Sequence, residues 1–166
     1  SPQRTIGVLP IAQQSSAFQT WLKTINQVWV SDITYYELAR RFFYLTFVMD
    51  MYSRVIVGYS ASKRLLTEDT TIPAVQMALR GIQASEKPIL HSDGGGQYYS
   101  KQFLQLTSNR LINSMAEDVY QNPFAERING TIKNEYLKHW SPTTSQELKQ
   151  DLTKAVYNYN TTRPHM

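Results

Sequence analysis

The sequence has no cysteine among its 166 residues. This absence excludes a disulfide scaffold and zinc sites built on thiolates, and it fits a reducing compartment. The sequence also lacks an apolar run of the roughly 18 residues that a membrane helix requires, and it has no secretory pattern. We therefore expect a soluble cytoplasmic domain with no membrane partner. A chain of this length suits one domain that buries its own core.

Acidic residues are missing from the start of the chain, because residues 1–31 carry Arg4 and Lys23 and no carboxylate. The whole chain has 17 Lys and Arg against 13 Asp and Glu, which gives a net charge of +4. Basic residues are also in excess between Arg127 and Arg163. This distribution favours a polyanionic partner such as nucleic acid, although an ordinary basic protein can have the same composition.

Alternating β-branched and aromatic residues predict strands in the first half of the chain. Residues 1–26 lack a sustained pattern and are interpreted as a lead-in or linker segment, so that the folded core covers 27–166. Three strands are predicted at 27–38, 41–53 and 54–62. Short turns between them indicate an antiparallel meander.

Helical spacing appears after this meander. Thr67 is predicted as the N-cap of a helix that begins at Glu68. Short buried strands are predicted at 88–93 and 111–116, on either side of a helix at 101–108. A strand, a crossover helix and a strand imply parallel pairing.

Two helices are predicted at the end of the chain. One begins after Asn122 as N-cap, with Pro123 at the first helical position, and runs to about His139. The other covers about 144–160. The order of elements predicts an α/β fold with a mixed five-stranded sheet, in which three antiparallel strands are followed by two parallel ones, flanked by helices.

Three carboxylates occupy positions that this fold can bring together. Asp32 lies inside the first strand, Asp93 ends the fourth, and Glu126 lies in the first turn of the helix after Asn122. Each alone has an ordinary interpretation: a solvent-facing strand residue, a turn former and an acid near a helix N-terminus. Together they are the ligands that hard divalent cations prefer, magnesium above all. Two such ions about 4 Å apart can clamp the oxygens of a phosphoryl transfer, so we expect the three carboxylates to converge.

The stretch HSDGGGQYYS at residues 91–100 places three glycines directly after Asp93. Glycine permits positive φ and the close approach of a bulky ligand. His91 is expected to face the same side of its strand as Asp93, either as a hydrogen-bond partner in an active site or as a packed polar residue. Tyr98 and Tyr99 could stack on bases, although core packing is the ordinary role of tyrosine.

Five sequence blocks follow one another along residues 27–165: WVSDITY, FVMDMYSRVIVGY, HSDGGGQYYS, SMAEDVYQNPFAERINGTIKNEYL and YNTTRPH. In this order they resemble the catalytic core of bacterial insertion-sequence transposases of the IS-three group, relatives of retroviral integrases. The resemblance implies an RNase H-like fold. It also implies a catalytic, metal-binding Asp-Asp-Glu triad on Asp32, Asp93 and Glu126, with a pair of Mg²⁺ or Mn²⁺ ions as cofactor.

The resemblance further implies a DNA-binding surface beside the triad. Lys133 matches a lysine of the family that touches DNA near the scissile phosphate, and it shares an α-helical face with Glu126, since seven positions make nearly two turns. Further candidates for DNA contacts are Asn129, Arg127, Asn122 and His91. Arg163 and His165 match a terminal Arg-Pro-His block, for which a structural cap and a DNA contact are equally open.

The implied function is that of a transposase or integrase catalytic domain, a polynucleotidyl transferase. It would hydrolyse phosphodiester bonds at element ends and join the freed 3′-hydroxyl to target DNA, as a homo-oligomer in the bacterial cytoplasm. Two alternatives stay open: a metal-dependent nuclease of the same fold that does not join strands, and a catalytically inactive DNA-binding or assembly module. The second is favoured by the 32 residues between Asp93 and Glu126, a shorter gap than the family usually has.

Overall fold

The computed structural model describes residues 20–93, 95–115 and 123–162. Its elements are β1 (Val28–Leu38), β2 (Arg41–Asp50), β3 (Ile56–Ser62), α1 (Thr71–Arg80), β4 (Ile89–Ser92), α2 (Gly96–Tyr99), α3 (Lys101–Thr107), β5 (Ile112–Met115), α4 (Pro123–Gly130), a π-helical segment (Thr131–Leu137), α5 (Lys138–Trp140) and α6 (Ser145–Thr162). Residues 1–19, Gly94, Asn122, Arg163 and His165 lie outside the described part, so the predictions made for them are carried no further.

The sheet confirms the predicted mixture of antiparallel and parallel strands. Within the described residues it has five strands in the order β3-β2-β1-β4-β5. The β1–β2 and β2–β3 pairs are antiparallel, whereas β1–β4 and β4–β5 are parallel. Helix α1 makes the crossover from β3 to β4, and α2 and α3 make the crossover from β4 to β5.

Helices cover both faces of the sheet. Val28 and Val30 of β1 pack in one cluster with buried residues of α4, the π segment and α6, such as Ile128, Ile132 and Leu152. Trp29, between the two valines, packs in a second cluster with residues of α1 and α3. Because successive side chains of a strand point to opposite faces, Asp32 lies on the same face as Val28 and Val30, under α4.

The first crossover helix begins later than the sequence predicts. Thr67 starts a 3-10 turn, Thr67–Asp69, and α1 begins at Thr71 with no side-chain cap on its N-terminus. The predicted helix from Glu68 would place Pro73 beyond its first turn, where the proline ring clashes with a preceding carbonyl. A start at Thr71 keeps Pro73 in the first turn. No helix among the described residues is long and apolar enough to span a membrane.

The sheet and α1 approach each other most closely at Gly58 of β3. A Cβ atom added to Gly58 would overlap the carbonyl oxygen of Ala74 in α1. The backbone of the helix therefore lies directly on the strand, and only a residue without a side chain fits between them.

A two-residue turn joins β1 to β2. Its residues, Ala39 and Arg40, have φ angles of 51° and 64°. Positive φ at both central positions is typical of the type I′ turn, whose twist suits a two-stranded hairpin and which usually contains Asn-Gly. A residue other than glycine costs roughly 1–2 kcal/mol in this conformation. Continuous pairing from Trp29↔Asp50 to Leu38↔Arg41 holds the turn in place.

The β1–β2 hairpin extends beyond the rest of the sheet. β1 pairs with β2 almost along its whole length, but its described pairing with β4 covers only Val28 to Val30. Among the described residues, β1 therefore has an open edge from Ser31 to Leu38, on the side where β4 ends. This edge lies next to the predicted catalytic residues.

Candidate metal and nucleic-acid site

The parallel pairing of β1 and β4 places two of the predicted carboxylates on neighbouring strands. The last register pair is Val30↔His91, and Asp32 and Asp93 each follow it by two residues. Neighbouring strands lie about 4.8 Å apart, and a step of two residues returns to the same face. Asp32 and Asp93 thus stand beside each other where β4 ends.

Glu126 reaches this region from α4. Ala125 and Ile128 are buried against the sheet and fix the helix, whereas Glu126 and Arg127 are exposed. Glu126 lies in the first turn of the helix, as predicted. Arg127, a candidate for DNA contacts, is accessible in the last turn of α4.

The three carboxylates interact through their charges. Burial is the main cause that raises the pKa of Asp32 to about 6, from 3.8. The hydrogen bonds from the N–H of Ile33 and from the side chain of Asn129 lower the pKa. The negative charges of Asp93 and Glu126 raise it. Asp32 is therefore protonated more readily than an ordinary aspartate, mainly because burial disfavours its charged form, and the charges of Asp93 and Glu126 add to this effect.

The predicted convergence into a common ligand shell is not reached. Within residues 20–93, 95–115 and 123–162, no three Asp, Glu, His or Cys side chains are close enough together to hold a metal ion. Three like charges repel one another, which favours this separation. The donor chemistry nevertheless fits a hard cation, because all three predicted ligands are carboxylates and the charges of Asp93 and Glu126 act on Asp32.

Asn129 orients Asp32. Its side chain is 7% exposed, and its Nδ2 donates a hydrogen bond to Oδ2 of Asp32 at 3.1 Å. The other oxygen, Oδ1, accepts from the N–H of Ile33 at 3.0 Å. Asn129 was predicted as a DNA contact, but its buried amide is engaged with the carboxylate. Its amide nitrogen thus holds one oxygen of the Asp32 carboxylate.

Gly95 is the first glycine after Asp93 within the described residues, and its backbone contacts the Asp93 carboxylate. Gly95 has φ −62°, so positive φ is not needed there. Its N–H donates to Oδ1 of Asp93 at 2.9 Å. A Cβ atom on Gly95 would lie only 3.2 Å from that oxygen. Glycine therefore allows the carboxylate to fold back onto the backbone of the following loop.

Lys133 lies across the open edge of β1. Its Nζ donates to Oγ1 of Thr34 at 2.8 Å and to the carbonyl of Tyr35 at 3.3 Å, and it stands 5.4 Å from the centroid of the Tyr35 ring. Burial lowers the pKa of Lys133, and the charge of Asp32 acts in the opposite direction. Lys133 belongs to the π segment, so the α-helical spacing that aligned it with Glu126 does not apply beyond Thr131.

His91 lies in the interior, away from a DNA-accessible surface. Its side chain is 0% exposed, and its Nδ1 lies 3.2 Å from Oγ of Ser114 on β5. Burial lowers the pKa of His91 to about 4, against opposing effects of Ser114 and the charge of Asp93. This environment is that of a packed polar residue, the second of the two interpretations above. Tyr98 is buried as well, and its hydroxyl lies 2.8 Å from Oγ of Ser31.

Sequence reasoning missed two exposed aromatic residues on the β1–β2 hairpin. Tyr35 and Phe42 form an edge-to-face pair with ring centroids 5.2 Å apart. Both residues fit the alternating pattern of their strands, so the sequence did not distinguish them from ordinary residues of a sheet. The signal that could have found them is the difference in length between β1 and β4, which leaves the end of the hairpin uncovered.

Comparison with known families and proteins gives consistent matches. The family model described as integrase core domain matches residues 23–118, and a second model of the same description matches residues 109–166. Transposase InsF of insertion sequence IS3A from Escherichia coli is 32% identical over 154 residues, which cover 91% of this chain and 52% of that protein. An uncharacterised 31 kDa protein of insertion element IS600 from Shigella sonnei is 39% identical over 127 residues, 74% of this chain and 46% of that protein. The chain thus spans about half the length of these relatives.

Solved structures share the fold. The HTLV-2 integrase catalytic core domain in complex with magnesium matches with a TM-score of 0.64 and 23% identity, over 84% of this chain and 89% of that one. A chain of the simian T-cell lymphotropic virus intasome matches with a TM-score of 0.68 and 22% identity, over 83% of this chain and 49% of that one. The fold is thus RNase H-like, as in the retroviral integrase cores. By fold and by sequence, the chain belongs to the integrase core domain family.

Proposed function

We propose that this chain is the catalytic domain of a DNA transposase. It cuts phosphodiester bonds at the ends of an element and joins the freed 3′-hydroxyl to a phosphodiester of target DNA. One observation carries the proposal. The parallel register sets Asp32 beside Asp93, while α4 brings the charge of Glu126 within range of Asp32. The transposase relative from Escherichia coli supports the reaction class.

Asp32, Asp93 and Glu126 would hold the divalent ions, Mg²⁺ or Mn²⁺, as a pair. Bound ions of this kind polarise a phosphoryl oxygen and lower the pKa of an attacking water. The magnesium complex of the HTLV-2 core supports the choice of ion. Because the pKa of Asp32 is about 6, this carboxyl group must release a proton to bind a cation in mildly acidic solution.

Two side chains next to Asp32 would serve substrate binding and orientation. Asn129 keeps Asp32 in one rotamer through the hydrogen bond to Oδ2. Lys133 uses two of its three N–H donors on Thr34 and Tyr35, which leaves one for a phosphate oxygen. Its position on the strand edge beyond Asp32 suits a phosphate next to the one that reacts. Arg127 is exposed at the end of α4 and would meet the DNA backbone from the other side.

The active form would contain more than one copy of the chain, because two element ends must be joined in one event. The HTLV-2 core, which has the same fold, was solved in a dimeric and in a trimeric form. DNA is the partner that the excess of basic residues favours, since phosphate contacts dominate the affinity of nucleic-acid-binding proteins.

A branched DNA that imitates the joined product tests the proposal with this chain alone. The reverse of strand transfer needs the same carboxylates and metal ions as the forward reaction, by microscopic reversibility. We expect the chain to resolve the branch in Mn²⁺ or Mg²⁺, and Asp93→Asn to lose at least about 100-fold of this activity, because an amide is a poor ligand for a hard cation. Asp151→Asn, on α6, is the control.

The outcomes separate the three candidate functions. Cutting of linear DNA without resolution of the branch would identify a nuclease. Binding of DNA with neither reaction would identify an inactive module. Equal activity of the wild type and Asp93→Asn would show that Asp93 is not a catalytic metal ligand.

A further inference from the structure

We propose that Tyr35 and Phe42, the aromatic pair, stack on an unpaired DNA base close to the scissile phosphate. This inference rests on the proposed function and adds a contact with a base to a site that otherwise touches phosphates. The aromatic pair lies on the β1–β2 hairpin, beyond the point where β4 ends.

The aromatic pair is largely uncovered. Tyr35 is 58% exposed and Phe42 is 52% exposed. Their rings meet edge to face, with an interplanar angle of 86°. They lie on the side of the sheet that carries Trp29, because residues of odd number in β1 share that face. Helices α1 and α3 cover Trp29 and leave the aromatic pair accessible.

Basic side chains lie near the aromatic pair, together with one acid, Glu37, which is the register partner of Phe42. The ammonium of Lys133 stands over the Tyr35 ring. Arg40 and Arg41 follow at the end of the hairpin, and both are exposed. Within the described residues neither arginine takes part in an ion pair, and the acid nearest in sequence is Glu37. Aromatic faces interleaved with basic side chains are the combination that binds single-stranded nucleic acid.

The backbone of the hairpin turn is strained, and one of its two residues is an arginine. Ala39 and Arg40 both have positive φ, where Asn-Gly would relieve the strain. Backbone strain of this kind concentrates where a protein clamps a ligand. Arg40 is exposed in this turn, at the end of the strand that carries Asp32 and Tyr35.

Distances along β1 fit a base a few nucleotides from the cut. Tyr35 follows Asp32 by three residues, which corresponds to roughly 10 Å along a strand. Stacked nucleotides of one DNA strand are about 3.4 Å apart. Because Tyr35 lies on the opposite face of the sheet from Asp32, a DNA strand that reaches both would pass around the edge of β1, and a base on Tyr35 would be at least about three nucleotides from the phosphate at Asp32. Lys133 lies between the two positions and would hold an intervening phosphate.

Fluorescence of 2-aminopurine tests the contact without catalysis. The chain is titrated into branched DNA that carries this base at each of the first five unpaired positions, in EDTA. We expect quenching at one or two positions, because stacking on an aromatic ring quenches the base. Tyr35→Ala should abolish that quenching and weaken binding of the branched DNA by about 5- to 150-fold, the range for loss of one base stack. Phe42→Ala should show a smaller effect in the same direction.

The control is Tyr157→Ala, since Tyr157 is 67% exposed on α6. It should leave both quenching and affinity unchanged. Thermal unfolding of each variant checks that the fold is intact. Quenching that persists in Tyr35→Ala, or equal weakening by Tyr157→Ala, would overturn the inference.

Two further measurements separate the possible failures. Sedimentation of Tyr35→Ala tests a protein partner: a changed oligomeric state with unchanged DNA binding would make the hairpin an interface between copies of this chain and overturn the base contact. Branch resolution in Mn²⁺ tests the proposed function separately. Resolution without Tyr35-dependent quenching would overturn only the base contact, whereas Tyr35-dependent quenching without resolution would overturn only the proposed reaction.

Discussion

The side-chain amide of Asn129 donates a hydrogen bond to Asp32 at 3.1 Å and thereby connects the first predicted carboxylate to α4. This hydrogen bond lowers the pKa of Asp32, against the larger effect of burial. It also fixes which carboxylate oxygen is turned towards the helix and which towards the backbone of β1.

Replacement of Asn129 by alanine should weaken metal binding more than folding. Without the amide, Asp32 loses a hydrogen bond to its charged form, so its pKa rises and its rotamer is less restricted. Loss of such a partner typically costs about 10- to 100-fold in metal affinity or activity. A titration with Mn²⁺, followed by branch resolution at several pH values, should show a higher metal requirement and an alkaline shift. Asn134→Ala, an exposed neighbour on the π segment, should behave as the wild type.

Asp32→Asn should stabilise the metal-free chain at neutral and alkaline pH. The folded pKa of Asp32 is about 6, against 3.8 for the ordinary group. Between these values the folded chain binds a proton that the unfolded chain has lost, so this group's contribution to stability falls as pH rises from about 4 to 6. Two pKa units correspond to at most about 3 kcal/mol. Urea unfolding in EDTA should show an advantage of about 1–3 kcal/mol for Asp32→Asn at pH 8.

The pH dependence of that advantage is the decisive feature. It should disappear below about pH 4, where the wild-type carboxyl group is protonated in both states. An advantage of equal size at pH 4 and pH 8 would mean that packing, and not charge, causes it.

Glu126→Gln should abolish magnesium-dependent strand transfer and leave the fold unchanged. Glu126 is exposed in the first turn of α4, so the neutral isostere disturbs no packing. Its amide is a poor ligand for a hard cation. Strand transfer on pre-cleaved element ends by the full-length protein isolates the joining step. Wild-type activity of Glu126→Gln with unchanged metal dependence would leave Glu126 as a helix-end carboxylate only.

Lys133→Ala should lower DNA affinity about equally for unrelated sequences. A phosphate contact carries no sequence information, and its loss should reduce the slope of log affinity against log salt by about one unit. Fluorescence anisotropy at several salt concentrations measures both quantities. Lys87→Ala is the matched control, because Lys87 is exposed and precedes β4, at the end opposite to Asp93. A changed preference among sequences would contradict a backbone contact.

Gly58→Ala should destabilise the fold, since its Cβ atom would overlap the carbonyl oxygen of Ala74. Overpacking of this kind typically costs about 1–3 kcal/mol. Gly96→Ala is the control, because a Cβ atom there meets nothing within 4 Å. Urea unfolding of both variants should show a loss of stability only for Gly58→Ala.

The sheet could be predicted from the sequence because its determinants are local. Alternation located β1, β2 and β3, and two short apolar strands on either side of a helix predicted the parallel pairing of β4 and β5. Strand ends were less accurate. β2 was extended to residue 53, but it ends at Asp50, whose buried carboxylate accepts from the N–H of Ser53 at 2.7 Å and holds the turn.

The site could be predicted only in part, because its details depend on contacts between distant residues. The sequence predicted that Asp32 and Asp93 can lie at one end of the sheet, but the register that sets them on neighbouring strands is seen only in the structure. The hydrogen bond from Asn129 to Asp32 depends on how α4 lies over β1, and the periodicity of the sequence does not specify this. The π segment changes the helical spacing within the same element, and no pattern of apolar residues indicated it. The role of His91 was ambiguous, because its position two residues before Asp93 does not show that its side chain is buried against Ser114 of β5.

The open edge of β1 has a consequence for the solubility of the chain. Unpaired N–H and C=O groups on a strand edge are a template for pairing with another chain, and lysine is a common means of preventing this. The ammonium of Lys133 donates a hydrogen bond to the carbonyl of Tyr35 on that edge, so that a positive charge lies on the edge. The same side chain would thus protect the protein from edge-to-edge aggregation. Variants that remove it are expected to self-associate at lower concentration than the wild type.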